Sequence, residues 1–163
     1  MEIVVRTLTK SDWPSVLKIY KEGIATGIAT FETEAPSWQQ WDAKYVLVCR
    51  FVALIKGKVV GFAVLSPTSK RKVYKGVAEV SVYVSKMFKG KYIGETLLRH
   101  LINESEANGF WSLQASIFSE NIASINLHLK CGFRVVGIRE KIGKLYGKWY
   151  DNHFLERRSC KID

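Results

Sequence analysis

Phe88-Lys89-Gly90-Lys91-Tyr92-Ile93-Gly94-Glu95-Thr96-Leu97-Leu98 joins a strand-like run to a helix-like one. Before it, Val77 to Val84 is apolar, β-branched and aromatic, the strongest strand signal in the chain. After it, Ile93, Leu97, Leu98, Leu101 and Ile102 recur at helical spacing, which predicts a helix over Ile93 to Asn108 closed by Gly109. A strand feeding a glycine turn into a helix leaves several N–H groups without carbonyl partners, and the helix dipole adds partial positive charge there. Such a turn suits a phosphate or pyrophosphate, with Lys89 and Lys91 adding charge. By itself the motif serves equally well as a tight connection.

Working outward, Ile3 to Leu8 reads as an edge strand, and Ser11 as the cap of a helix with Pro14 in its first turn. Trp13, Val16, Leu17 and Tyr20 share one face of that helix. Gly23 to Pro36 reads as a long loop, a class that often carries function. Ser37 and Gln40 form a capping box for a short helix through Trp41. Phe51 to Ile55 and Val59 to Leu65 flank the hairpin signal Lys56-Gly57-Lys58. Leu113 to Phe118 is a strand, Asn121 to Lys130 a helix ended by Gly132, and Phe133 to Ile138 and Trp149 to Leu155 are the last strands. This order predicts one mixed α/β domain over residues 1–163, with a central, largely antiparallel sheet flanked by helices.

The 163 residues suffice for one domain with a real core, and 47% apolar against 25% charged residues is a globular balance. No apolar run reaches membrane-span length. The start, Met1 to Arg6, lacks the layout of a signal peptide. Cys49, Cys131 and Cys160 are widely spaced and odd in number, which points to a reducing cytoplasm and to no metal site. A net charge of +10 suits nucleic acid, an anionic cofactor or simple solubility. The basic residues are dispersed, with clusters only at Lys70-Arg71-Lys72 and Arg157-Arg158, which weakens the nucleic-acid reading.

Two titratable residues stand out. Glu79 interrupts the apolar strand Val77 to Val84, where a carboxylate needs solvent, a partner or a use. Alternation alone makes it an outward-facing residue, on one face with Ser81 and Tyr83. His128 lies on the later helix, where a lone histidine is more often packed than functional.

Lys89-Gly90-Lys91-Tyr92-Ile93-Gly94 resembles the acetyl-CoA pyrophosphate loop of the GNAT superfamily of N-acetyltransferases, Q/R-x-x-G-x-G/A. Lys89 stands at the Gln/Arg position and Tyr92 at the first glycine. Asn121 to Phe133 resembles the family's second cofactor motif, with Asn121 near the pantetheine and His128 where many members place a tyrosine that protonates the departing thiolate. Val77-Ala78-Glu79-Val80-Ser81-Val82-Tyr83-Val84 resembles the E-x-S-V-Y-V strand of the phosphinothricin N-acetyltransferase branch. The segments Thr30-Phe31-Glu32 and Gly143 to Asp151 resemble that branch's substrate loop and closing hairpin.

The resemblance implies a sheet splayed between the strands around 77–84 and 113–118, with acetyl-CoA as co-substrate. It implies cofactor contacts from the backbone of Val82, Tyr83 and Val84, from Lys89, Gly90, Lys91, Tyr92, Ile93, Gly94 and Glu95, and from Asn121. It further implies Glu79 as base, His128 as acid, a small-molecule amine as substrate, and a homodimer. Branch members commonly carry F-R-x-R before the catalytic strand to hold a substrate carboxylate; here Thr68-Ser69-Lys70-Arg71 keeps only Arg71. Phe31 and Arg71 are the expected substrate contacts. The rival classes are a basic nucleic-acid-binding domain and a non-catalytic acyl-CoA sensor.

Overall fold

The computed structural model describes residues 1–163. Seven strands form one sheet in the order β1-β2-β3-β4-β5-β7-β6. They are β1 (Val4–Thr7), β2 (Phe51–Ile55), β3 (Lys58–Pro67), β4 (Val77–Val84), β5 (Ser112–Phe118), β6 (Arg134–Leu145) and β7 (Lys148–Arg158). Four helices flank it: α1 (Trp13–Thr26), α2 (Trp38–Lys44), α3 (Ile93–Ala107) and α4 (Ile122–Lys130). No helix is long and apolar enough to cross a membrane.

Every neighbouring pair is antiparallel except β4 with β5. That parallel pair is held at its start, where Trp111 and Ser112 both donate to Gly76 O, at 2.8 and 3.1 Å. A methyl at Gly76 would lie 2.1 Å from the Trp111 ring, so the indole closes directly over the backbone there. Pairing runs only from Val77↔Ser112 to Glu79↔Gln114. Beyond it the strands separate, which is the expected splay.

The two faces of the sheet bury different halves of the core. Leu97, Leu98 and Leu101 of α3 pack with Ala63, Leu65, Ala78, Val80 and Leu113 on one face. Val16, Ile19 and Tyr20 of α1 and Trp41 of α2 pack with Phe62 and Val64 on the other. Alternation along β4 therefore sends Val80 toward α3, and Glu79, Ser81 and Tyr83 toward α1 and α2.

Several boundaries differ from the sequence expectation. Helix α1 runs on through Gly23 to Thr26 and ends at Gly27, whose φ is 71°. Gly23 is admitted because the Tyr83 ring lies where its side chain would be, 2.6 Å from a built Cβ. Ser11 is not the cap: Asp12 precedes α1 and its carboxylate accepts from Thr9 N–H and from Arg6. The last two strands reach Leu145 and Arg158 because Tyr146 and Gly147, both at positive φ, make a two-residue hairpin turn. β6 lies at the sheet edge and is exposed along most of its length, so it carries little alternation to betray its extent.

Candidate active site

A cavity of about 770 Å³ occupies the splay and continues beneath the α1–α2 loop. Its mouth is the start of α3. Thr96 donates to Tyr92 O at 3.0 Å, and the amides of Ile93, Gly94 and Glu95 before it have no helical acceptor. Lys89, Gly90, Tyr92, Ile93, Gly94 and Glu95 all line the cavity. Lys91 does not; its ammonium sits over the Phe88 ring at 5.2 Å.

Tyr92 adopts the left-handed conformation that glycine usually supplies, with φ 62° and ψ 9°. Its side chain is 72% exposed and turns outward, with Lys130 Nζ 5.4 Å from the ring centre. The amide turn keeps its shape although a side chain replaces the glycine. Glu95 puts a carboxylate in this first turn, and Lys130 and Arg99 bind it at 2.6 and 3.0 Å. Those hydrogen bonds, the Lys130 one foremost, hold its pKa below the usual carboxylate range.

The walls of the splay follow from the β3–β4 register. Ser85 donates to Val60 O at 2.8 Å, and the ladder then runs without a shift from Gly61↔Val84 to Pro67↔Ala78. Antiparallel alternation therefore turns the main-chain groups of Tyr83, Ser81 and Glu79 toward β3. Those of Val80, Val82 and Val84 face away from β3, and from Val82 onward they open on the splay, where β5 has departed. The expected backbone trio is thus divided: Val82 and Val84 offer free groups, and Tyr83 does not. Tyr83 contributes its ring instead, stacked on Phe62 at 5.2 Å.

Glu79 forms the last pair before the strands part, opposite Gln114, and lines the cavity from the α1/α2 face. Tyr45 lies close by. Burial raises its pKa to about 12, with the negative charges of Glu79 and Glu32 adding to the rise. Burial also raises the pKa of Tyr83, so both phenols stay protonated at neutral pH.

His128 is 4% exposed and lines the cavity from α4, its ring edge-on to Phe133 at 5.1 Å. Its Nδ1 lies 2.7 Å from Ser124 O. A carbonyl only accepts, so Nδ1 carries the hydrogen, and the neutral ring presents a bare Nε2. Burial lowers the histidine's pKa, and the Ser124 hydrogen bond only partly offsets this. The expected acid therefore begins without a proton to give.

Asn121 caps α4 through Ser124 N–H at 3.3 Å and donates to Ile28 O at 3.4 Å, tying the helix to the α1–α2 loop. Phe31 of that loop packs on Phe118 at 4.4 Å. Gly143 makes room for it, since a Cβ there would be 2.6 Å from the ring. Arg71 is not brought to the cavity: it is exposed on the β3–β4 connection, over Tyr74. Sequence reasoning missed Lys44, Tyr45 and Asn152, which line the cavity together with Glu32 of the expected substrate loop. The one available signal was Asn152, a polar residue between Tyr150 and Phe154 on one strand face.

A model of the acetyltransferase (GNAT) domain matches residues 5–154. The chain belongs to the GNAT acetyltransferase family. It is 32% identical over 159 residues to a phosphinothricin N-acetyltransferase of Alcaligenes faecalis, covering 94% of this chain and 81% of that protein. It is 31% identical over 165 residues to an L-methionine sulfoximine/L-methionine sulfone acetyltransferase of Pseudomonas paraeruginosa, covering 96% and 94%. The crystal structure of a GNAT phosphinothricin acetyltransferase from Sinorhizobium meliloti in complex with AcCoA superimposes with a TM-score of 0.91 at 31% identity, covering 99% and 91%.

This GNAT enzyme is an acetyl-CoA-dependent N-acetyltransferase. Its residues fit the donor. The free amides at the start of α3 suit a pyrophosphate, and the unpaired edge of β4 suits the amide-bearing pantetheine arm.

Proposed function

We propose that this GNAT enzyme acetylates the primary amine of a small molecule, an amino acid or analogue of the phosphinothricin, methionine sulfone or methionine sulfoximine type. The observation that carries the reading is the vertex of the splay. There the Glu79 carboxylate faces the α1/α2 side, just before the main-chain groups of Val82 and Val84 that no strand satisfies.

An amine that enters beneath Phe31 arrives protonated. Glu79 takes one proton, directly or through water. The free amine attacks the thioester carbonyl, and the Val82 N–H on the splay side receives the developing oxyanion. The attacking nitrogen must still shed a proton, and the departing thiolate must gain one. Neutral His128 serves both needs: its Nε2 accepts the first and donates the second, while Nδ1–H stays on Ser124 O. No cysteine takes part: Cys49 and Cys131 are buried, which raises both thiol pKa values, and the exposed Cys160 does not line the cavity.

Lys44, which makes no ion pair and lines the cavity beside Tyr45, takes the carboxylate role expected of Arg71. A homodimer belongs to the same reading. It is supported by the unpaired edge strand β6, with Val135, Val136 and Ile138 exposed.

Thiol release from acetyl-CoA over a panel of amino acids, their sulfone and sulfoximine analogues, and polyamines tests the proposal. Amino-acid analogues are expected to be turned over fastest. Preferred turnover of polyamines, or no release with any amine, overturns the acceptor assignment.

A further inference from the structure

Asn152 has a property that acetyl transfer itself does not require. It lies in β7, is 7% exposed and lines the cavity, yet its side-chain Oδ1 is buried with no hydrogen-bond partner. A buried acceptor left unmade is destabilising, so such groups are rare and call for a partner from outside the fold.

Its surroundings are mainly aromatic. Asn152 pairs with Phe118 of β5 across the sheet. Phe118 packs on Phe31 and on Tyr150, at 4.4 and 5.1 Å. Tyr150 and Phe154 flank Asn152 on the same face of β7. The amide is thus set among aromatic rings, directly beneath the loop that covers the acceptor side, with Arg139 across from it on β6 and turned onto the Phe154 ring at 4.2 Å. An aliphatic residue would line such a surface without loss.

We propose that Asn152 is a specificity-determining residue whose amide reads a side-chain group of the acceptor that presents an N–H beside an oxygen, as a sulfoximine or a carboxamide does. The inference rests on the acceptor reading above. A side-chain amide offers one acceptor and one donor. A sulfoximine satisfies both, through its N–H and its oxygen. A sulfone has only oxygens and leaves the Asn152 acceptor unpaired. Turning the amide over exchanges the two positions and preserves the match. A site built to pair a polar group discriminates against an isostere that cannot pair it.

The test compares kcat/KM by thiol release for L-methionine sulfoximine, L-glutamine, L-methionine sulfone and L-norleucine, with wild type, Asn152→Val and Asn152→Asp. Acetyl-CoA affinity is measured alongside by thermal shift. Wild type is expected to favour sulfoximine over sulfone by about tenfold or more, mainly through KM. Asn152→Val is expected to bring the ratio to about one with acetyl-CoA affinity unchanged, and Asn152→Asp, which keeps an acceptor, to retain the preference.

Equal use of sulfoximine and sulfone by wild type overturns the inference, as does a preference that survives Asn152→Val. A loss of acetyl-CoA affinity in Asn152→Val also overturns it, by assigning the amide to the pantetheine arm. Turnover of other amines but none of these four overturns it and leaves N-acetyl transfer standing. No turnover of any amine overturns the acceptor reading as well.

Discussion

Replacing Gly61 by alanine should damage the acetyl-CoA mouth from behind. Gly61 lies on β3 opposite Val84, directly under α3. A built Cβ meets Tyr83 O at 2.9 Å, Leu97 Cδ1 at 3.0 Å and Ile93 Cγ2 at 3.3 Å. The first contact is β4 backbone and cannot turn away, so β3 and β4 must shift there, while the added methyl presses the Leu97 and Ile93 side chains and pushes α3 outward. Overpacking of this kind destabilises by about 1–3 kcal/mol, and each kcal/mol lowers Tm by roughly 2–4 °C in a chain of this size. Ile93 is also the first residue of α3, so the outward push displaces the free amides at the mouth. A single misaligned hydrogen bond to an anion loses about 1.5–3 kcal/mol, roughly tenfold or more in Kd.

Thermal unfolding and acetyl-CoA titration read the two effects separately. Gly137→Ala is the control, because no heavy atom lies within 4 Å of its built Cβ. Gly137→Ala should leave both quantities unchanged, and Gly61→Ala should lower Tm and weaken acetyl-CoA together. A Gly61→Ala protein with wild-type Tm and wild-type Kd would refute the packing argument. A lowered Tm with unchanged Kd would show that α3 does not set the mouth.

Tyr92→Gly removes left-handed strain worth about 1–2 kcal/mol and gives back roughly 0.5–1 kcal/mol in unfolded-state entropy. A small net rise in denaturation midpoint with acetyl-CoA binding retained is the expected outcome, measured by urea unfolding with and without ligand. For His128, burial holds the folded pKa below the ordinary histidine value. The unfolded chain therefore takes up the proton first as pH falls. The resulting stability is full above the unfolded pKa and is lost as pH drops through it toward the folded pKa. Wild type should destabilise over that window more steeply than His128→Phe, as read from urea midpoints at a series of pH values; parallel curves would show that His128 is not buried neutral.

The sequence made the fold legible because its strongest patterns are local. Val77 to Val84 alternates cleanly, Ile93 to Ala107 carries one apolar stripe, and the glycine turn joins them. The ends of α1 and β6 were less legible. Gly23 reads as a helix breaker until the Tyr83 ring is seen to occupy its side-chain space, and an edge strand exposed along most of its length shows little alternation. Within the site, Gly94 and Asn121 stood out only through the resemblance to the family's two cofactor motifs. Which Val82–Val84 groups face the splay was not, because that depends on hydrogen-bond register with β3. Arg71 looked like a site residue because it stands at the second arginine of the F-R-x-R that branch members carry, yet the β3–β4 connection carries it away from the cavity. Lys44 and Asn152 come from a helix end and a distant strand, and only folding brings them there.

The most direct test of the account is the turnover of Glu79→Gln, measured by thiol release across pH with acetyl-CoA affinity determined in parallel. A carboxylate base at the vertex of the splay predicts a fall in kcat of roughly 10²–10⁴-fold and an unchanged acetyl-CoA Kd. Wild-type turnover with the same pH profile in Glu79→Gln would contradict it, as would a fall in rate matched by an equal loss of acetyl-CoA affinity.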